Sequence, residues 1–271
     1  MEIRDEWVAP YLDEDGSLSE EGCARLCADF AGLHDITRCA FTPVGTDTAD
    51  TGEVAGVLDC DGSRTAVCEG RRPPGLVPIR VRTRTPFARW TRRAAWLEEA
   101  SIHAFVRLSR ELVAQRAPAD LGRRALAAAR DEVHHARGMR ALAGGRGPRV
   151  RIRRLPPRDL EALALDNAVE GCVHETWGAA VAWWQAAHAP PALRPLFARI
   201  AADETLHAQL AWDIDAWVEA RGIDTRVQRR RAGARLHGRN AAGPSLVAGL
   251  GLPPAEDAER LIARLNRSLW S

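Results

Sequence analysis

Prolines most constrain what this chain can fold into, because from Phe87 onward they separate four long windows that contain none. Within these windows Ala, Leu, Arg, Glu and Trp recur with helical spacing, and proline is poorly tolerated inside a helix. The pattern predicts four helices, near residues 87–115, 119–143, 158–187 and 192–221. Short links join the helices within each pair, and a longer extended segment joins the two pairs. We therefore expect an all-α protein, an antiparallel four-helix bundle with one crossover.

The rest of the chain predicts two further regions, on either side of a bundle domain over residues 86–221. Residues 222–271 have the pattern of a C-terminal helical extension. Residues 1–85 form an acidic, irregular region, in which one small helix near 19–33 precedes loops and a few short strands. The segment 1–70 contains 16 of the 36 acidic side chains and four arginines, a local charge of 4 − 16 = −12, which leaves +14 for the remainder.

Five of the six cysteines lie in this N-terminal region: Cys23, Cys27, Cys39, Cys60 and Cys68. A loop-rich segment with a small core gains most from covalent cross-links, so disulfides or inert thiols are favoured. The odd number leaves at least one thiol free. A zinc site is the alternative, although Cys23 and Cys27 lack a second closely spaced pair.

Composition excludes several classes of function. All 38 basic residues are arginine, which excludes a Schiff-base lysine and a phosphate-binding P-loop lysine. No apolar run approaches the ~20 residues of a membrane helix, and no leader peptide is visible, so we expect a cytoplasmic protein without a membrane partner. The basic stretch 226–239 has no interleaved aromatic residues, so no nucleic-acid partner is expected.

The second and fourth predicted helices each contain the motif Asp-Glu-x-x-His, at positions 131–135 and 203–207. A spacing of three places the carboxylate and the imidazole on one helical face. The first and third predicted helices contain Glu-x-x-x-His, at positions 99–103 and 170–174. Glu170 follows Glu99 by almost the same interval as Glu204 follows Glu132, so a single shift superposes all four segments. This regularity indicates an internal duplication of a helical hairpin.

Counting residues from the two predicted turns, near 117 and 190, brings six side chains to one level of the bundle at ~1.5 Å per residue. They are Glu99, Glu132, His135, Glu170, Glu204 and His207. Four carboxylates and two imidazoles in a core are too costly unless they are paired. Two metal ions would satisfy them.

A single Glu on each of two helices, with Glu-x-x-His on each of the other two, resembles the ferritin-like di-iron carboxylate superfamily, including rubrerythrin-type proteins. The resemblance covers about residues 87–220. It implies that Glu132 and Glu204 bridge two iron ions, or manganese or a mixed pair, and that dioxygen is a co-substrate. It further implies oxidation or hydroxylation of a small organic substrate, with an electron donor protein as a partner. Iron handling or peroxide scavenging is the alternative, and a metal-free or structural bundle, in which these side chains only stabilise the fold, is a third interpretation.

Several nearby side chains have roles that the pattern leaves open. Glu175 is a candidate ligand or active-site acid, and Glu98 is expected at the rim. His103 and His174 are candidates for extra ligands, for catalytic roles or for hydrogen-bonded core positions. Asp131 and Asp203 are expected to orient the imidazoles or to lie on a solvated face. The oligomeric state stays open, and a dimer is compatible with the sequence.

Overall fold

The computed structural model describes residues 2–4, 8, 11–13, 16–30, 34–43, 54–63, 70–79, 81, 83, 85–145, 147–238 and 242–271. The chain is predominantly helical and divides into two compact units, Met1–Thr65 and Ala66–Ser271. None of the described helices combines the length and the apolarity that crossing a membrane requires.

The first unit consists of one helix and a three-stranded antiparallel sheet. Strand β1 spans Glu2–Arg4, helix α1 Glu20–Phe30, strand β2 His34–Pro43 and strand β3 Val54–Ser63, with β3 in the centre of the sheet. The predicted small helix is confirmed as α1, but the long strands β2 and β3 replace most of the predicted loops. Pairing of β2 with β3 overrides the poor strand propensity of a Gly- and Asp-rich segment.

Two disulfides, Cys23–Cys39 and Cys27–Cys60, connect α1 to the sheet. The prediction of disulfides in this region is therefore confirmed. Cys68 lies outside the described residues, and Cys172 is a buried free thiol.

The second unit is built from helices whose bounds follow the proline pattern. They are α2 Pro86–Ala114, α3 Ala119–Leu142, α4 Leu160–Asp166, the π-helix π1 Asn167–Glu175, α5 Thr176–His188, α6 Arg194–Glu219, α7 Arg226–Ala234, α8 Pro244–Leu250, α9 Ala255–Leu265 and the π-helix π2 Asn266–Trp270. Thr85 caps α2, since its hydroxyl accepts a hydrogen bond from the Ala88 amide at 3.2 Å. Gly144, in the left-handed conformation (φ +72°), follows α3.

The predicted helices are confirmed to within a few residues at most ends, with one difference inside the third. That helix runs without a break from Leu160 to His188, but its central segment Asn167–Glu175 is π-helical. A π-helix bonds i to i+5, so it rotates the following side chains relative to a regular α-helix. This change brings Glu170 and Glu175 to the same side of the third helix.

The long helices pack as consecutive pairs, α2 against α3 and α5 against α6, and α6 also packs on α3 and π1. Two apolar clusters lie at different heights along them. One contains Trp90, Trp177, Phe197 and Trp270, and the other contains Phe105, Leu108, Leu210 and Ile214. On α6, Ala201 belongs to the first cluster and Leu210 to the second, so residues 204–207 lie between two apolar layers.

Buried ion pairs attach the segment between α3 and α4 to α2. Glu111, 3% exposed, accepts hydrogen bonds from Arg107 at 2.8 Å and from Arg158 at 2.6 Å and 2.9 Å. Backbone hydrogen bonds join the same segment to residues 75–77: Val77 donates to Arg151, and Arg153 donates to Gly75, each at 2.9 Å. Backbone hydrogen bonds and ion pairs thus fix the position of this segment.

Candidate metal centre

Six buried carboxylate and imidazole side chains converge between the two apolar layers. Helix α2 contributes one, α3 two, π1 one and α6 two: Glu98, Glu132, His135, Glu175, Glu204 and His207. Each is at most 5% exposed. We call these six residues the carboxylate cluster.

His135 lies on one side of the carboxylate cluster. Its Nδ1 is 3.4 Å from Glu204 Oε1 and 3.7 Å from an oxygen of both Glu98 and Glu132. The Glu98, Glu132, His135 and Glu204 ligand atoms all lie within 4.8 Å of one another. These four residues can hold one metal ion.

His207 lies on the opposite side of the carboxylate cluster from His135 and has equivalent contacts. Its Nδ1 is 3.2 Å from Glu132 Oε1 and 3.8 Å from an oxygen of both Glu175 and Glu204. Glu175, Glu204 and His207 form a second group of ligand atoms within 4.8 Å of one another. Glu132 and Glu204 therefore lie between both histidines, while Glu98 and Glu175 each approach one.

The Nε2 atom of each imidazole contacts an aspartate on the opposite helix. His135 Nε2 on α3 is 3.1 Å from Asp203 Oδ2 on α6, and His207 Nε2 on α6 is 3.4 Å from Asp131 Oδ2 on α3. An aspartate that accepts the Nε2 proton fixes the tautomer in which the Nδ1 lone pair is free to bind metal. The two Asp-Glu-x-x-His motifs thus support each other crosswise.

The polar atoms of the carboxylate cluster fit a pair of metal ions. Within the described residues, both oxygens of Glu132 and of Glu175, Glu204 Oε2, and Nδ1 of both histidines are buried without a hydrogen bond. Leaving so many buried polar atoms unsatisfied is costly, and native proteins avoid it. Carboxylate and imidazole ligands suit iron, manganese and zinc, and bound metal would satisfy these atoms.

Burial and mutual repulsion shift the protonation of the metal-free cluster. Burial, assisted by the charge of Glu132, raises the pKa of Glu98 to about 8. Burial, with the charge of Glu204, likewise raises the pKa of Glu175 well above its usual value. Burial alone would lower the pKa of His207, but the contact of its Nε2 with Asp131 and the nearby carboxylate of Glu132 raise that pKa well above the ordinary value.

The carboxylate cluster contains five side chains that the sequence proposed as ligands or left open as candidates: Glu132, His135, Glu175, Glu204 and His207. Glu99 and Glu170, which the internal repeat favoured, lie outside it. Glu99 is partly exposed and forms an ion pair with Arg140. Glu170 accepts a hydrogen bond from the Arg72 amide at 3.0 Å, and its Oε1 is 3.4 Å from His174 Nδ1. His103 is exposed.

Glu175 takes the inner position because of the π-helix. Glu170 and Glu175 are separated by one π-helical turn, so both point toward the same side at different heights. The number of residues from the predicted turn near 190 already indicated Glu175, because Glu175 lies about as far before that turn as Glu204 and His207 lie after it. Glu170 lies further from the turn than any of these three residues. The internal repeat nevertheless favoured Glu170 as the ligand.

Glu98 rather than Glu99 faces the interior because of the buried stripe of α2. Ala94, Glu98, Ser101, Phe105 and Leu108 follow the helical spacing of three and four, and all are buried. Glu99 lies about 100° further around the helix. The stripe was visible in the sequence, but alignment with Glu170 favoured the adjacent glutamate.

Arg71 is a further charged group beside the carboxylate cluster, and no sequence pattern indicated it. Its side chain is 2% exposed, its Nη2 donates to Asn167 Oδ1 at 2.8 Å, and its Nε is 4.0 Å from Glu175 Oε1. The Arg71 carbonyl accepts a hydrogen bond from Ser101 Oγ at 3.0 Å. A Cβ at Gly171 would collide with the guanidinium. Residues 70–72 have no helical periodicity, so nothing in the sequence associated them with the helices.

A small cavity opens beside Glu98 and Glu204. Its volume is about 20 Å³, enough for one or two small molecules the size of water. Apart from the two glutamates, Gly70, Gly178 and Gln185, its walls are apolar: Met139, Val181, Ala182, Phe197 and Ile200.

No known protein family, curated protein sequence or solved structure matches this chain. The assignment of a metal centre therefore depends on the geometry of the carboxylate cluster.

Proposed function

We propose that the second unit is a ferritin-like four-helix bundle in which the carboxylate cluster binds two iron ions, and that the protein is an oxidoreductase that consumes dioxygen or hydrogen peroxide. The observation that carries this proposal is the shared position of Glu132 and Glu204 between two histidines whose buried Nδ1 atoms have no hydrogen bond among the described residues. Manganese or a mixed iron–manganese pair is compatible with the same ligands.

When bound, two iron ions supply two electrons at once to a small oxidant. The protein's own residues provide the environment. Glu132 and Glu204 lie where both ions can share them, Asp131 and Asp203 orient the imidazoles, and the apolar layers on either side exclude water. Repeated turnover then requires an external electron donor, for which we propose a redox protein.

The size of the cavity supports a small oxidant as the molecule that enters. A volume of about 20 Å³ accommodates a molecule about the size of water, such as dioxygen or hydrogen peroxide. Reduction of peroxide to water, the scavenging reaction, is compatible with this cavity. Oxidation of an organic substrate is the second candidate, and it requires the wall formed by Val181 and Phe197 to open.

Anaerobic reconstitution with ferrous iron tests the metal assignment. We expect about two irons per chain after removal of weakly bound metal, and loss of both in a Glu132→Ala, Glu204→Ala double variant. Glu99→Ala is the matched control and should retain both irons. A wild-type chain that binds no transition metal under these conditions would contradict the proposal.

Stopped-flow reaction of the ferrous protein separates the two reactions. Scavenging predicts rapid oxidation by hydrogen peroxide, slower oxidation by dioxygen, and catalytic peroxide loss when a reductant is supplied. Fast reaction with dioxygen and slow reaction with peroxide would instead favour oxidation of an organic substrate.

A further inference from the structure

We propose that Cys23, Cys27, Cys39 and Cys60 form a separate metal site in the first unit, which binds one zinc ion when both disulfides are reduced. In the structure these four residues form the disulfides Cys23–Cys39 and Cys27–Cys60. The proposal concerns the reduced state of the same four sulfurs, and it does not depend on the carboxylate cluster.

The fold brings the four cysteines together in two pairs. Cys23 and Cys27 are at positions i and i+4 of α1, so their side chains lie one turn apart on the same face. Cys39 on β2 and Cys60 on β3 are direct cross-strand partners. Each disulfide spans 5.8 Å between Cα atoms and joins one member of the helical pair to one member of the strand pair.

The two disulfides are in contact with each other. The Sγ atoms of Cys27 and Cys39, which belong to different disulfides, are 3.0 Å apart. The sulfurs of Cys23, Cys27 and Cys39 all lie within 4.8 Å of one another, and the Cys60 sulfur, which is bonded to that of Cys27, lies outside this group of three. A tetrahedral zinc site with Zn–S bonds of about 2.3 Å places its sulfurs about 3.8 Å apart. After reduction, the two sulfurs of each disulfide would separate and Cys60 would move closer to the rest of the group to produce that arrangement.

The core of the first unit explains why the reduced state needs a cross-link. Among the residues of this unit that the structure describes, the buried apolar ones are Val8, Cys23, Leu26, Cys27 and Leu58, with Tyr11, Leu18, Cys39, Phe41 and Cys60 packed against them. A unit of about 65 residues is marginal without disulfides or a metal. Four thiolates in tetrahedral geometry select zinc, which would replace the disulfides as the link between α1 and the sheet.

The conversion between the disulfide state and the zinc-bound state conserves electrons and protons. A dithiol reductant reduces both disulfides by delivering four electrons and four protons, and zinc displaces the four thiol protons as it binds. In the reverse direction, two molecules of hydrogen peroxide accept four electrons and four protons and become four waters. The two disulfides re-form, and the zinc ion is released.

Cobalt substitution in the full chain tests the site. The protein is reduced with a phosphine under anaerobic conditions and titrated with cobalt(II), then with zinc. We expect thiolate-to-cobalt charge-transfer absorption that saturates at about one cobalt per chain and disappears as zinc replaces it. The carboxylate and imidazole ligands of the helical unit give no such band. A Cys23→Ser, Cys27→Ser, Cys39→Ser, Cys60→Ser variant should abolish it and Cys39→Ser should weaken it, whereas Cys172→Ser and Cys68→Ser should retain it at full strength.

Absence of the thiolate band in the reduced wild-type chain would overturn the proposal, as would a band of unchanged intensity in Cys39→Ser. If the reduced chain loses secondary structure, circular dichroism measures that loss. Addition of zinc should then restore the strand signal of the reduced protein, and failure to restore it would contradict the proposal. Peroxide should subsequently release about one zinc per chain, measured with a colorimetric chelator.

Discussion

His135 on α3 and Asp203 on α6 are joined at 3.1 Å between Nε2 and Oδ2, and this contact leaves Nδ1 of the imidazole facing three carboxylates. His207 and Asp131 repeat the arrangement in the opposite direction. Each helix thus orients an imidazole of the other, so the two halves of the carboxylate cluster depend on one another.

Removing one of these aspartates should weaken metal binding without destroying the centre. We expect Asp203→Ala to lower the affinity for ferrous iron by about 10–100-fold, because the imidazole of His135 loses the group that fixes its tautomer and orientation. Competition with a chelator measures the change. Asp213→Ala on the same helix, which removes an ion pair with Arg124, is the matched control. Equal affinity for Asp203→Ala and wild type would show that the contact is only structural.

Adjacent glutamates on α2 should behave differently. Glu98 approaches His135 and not His207, so Glu98→Ala should lower the iron content from about two to about one per chain. Glu99→Ala, which breaks an ion pair with Arg140, should leave iron content unchanged. Iron analysis after anaerobic loading measures both. The reverse pattern would mean that α2 presents Glu99 instead of Glu98 to the carboxylate cluster.

Arg71 should stabilise the metal-free protein more than the metal-loaded one. Its guanidinium lies 4.0 Å from Glu175 and is buried, so at a pH above the raised pKa of Glu175 the variant Arg71→Met leaves a carboxylate without its nearby cation. Removing one partner of a buried ion pair costs about 3–5 kcal/mol of the free energy of unfolding. Bound metal would take over neutralisation of Glu175, so the loss should shrink when metal is present. Urea unfolding at alkaline pH, with and without metal, tests this.

Arg123→Met, at an exposed position on α3, is the control and should change stability little in either state. An equal loss for Arg71→Met with and without metal would assign Arg71 a packing role alone.

Glu111 should make stability depend on pH in the acidic range. Burial alone would raise its pKa, but hydrogen bonds and charge from Arg158 lower the pKa below the ordinary value. A carboxyl whose pKa is lower in the folded state contributes fully above the unfolded pKa, near ~4.3, and its contribution disappears as pH falls through the folded pKa.

Glu111→Gln should therefore cost about 3 kcal/mol of the free energy of unfolding at neutral pH, and the difference from wild type should decrease as the pH falls below about 4.3. Denaturant unfolding at several pH values measures this difference. Glu161→Gln, at an exposed position in the first turn of α4, should show no comparable dependence. A difference that grows at low pH would contradict the sign of the pKa shift.

Helix positions were predictable because proline and helical periodicity are local properties. The ends of α2, α3 and α6 follow them closely, and the repeated motif correctly singled out the four residues Glu132, His135, Glu204 and His207 as neighbours. Burial of Glu175 was not predicted in preference to Glu170, because the π-helix depends on tertiary packing that no local pattern indicates.

Two other features could not be predicted for related reasons. Arg71 reaches the carboxylate cluster from a segment without periodicity, and only the folded chain brings it to Asn167. Strand β3 forms from a Gly- and Asp-rich sequence because cross-strand pairing with β2 and a disulfide to α1 stabilise it. Both features depend on contacts between residues that are distant in sequence.

Magnetic spectroscopy of the iron-loaded protein tests the central claim most directly. Two irons that share Glu132 and Glu204 should be spin-coupled, so the oxidised protein should give no electron paramagnetic resonance signal from isolated ferric iron, and one-electron reduction should generate the signal of a coupled mixed-valence pair. Chemical analysis of the same sample should find about two irons per chain. Isolated high-spin ferric iron, or a single iron per chain, would contradict a dinuclear centre.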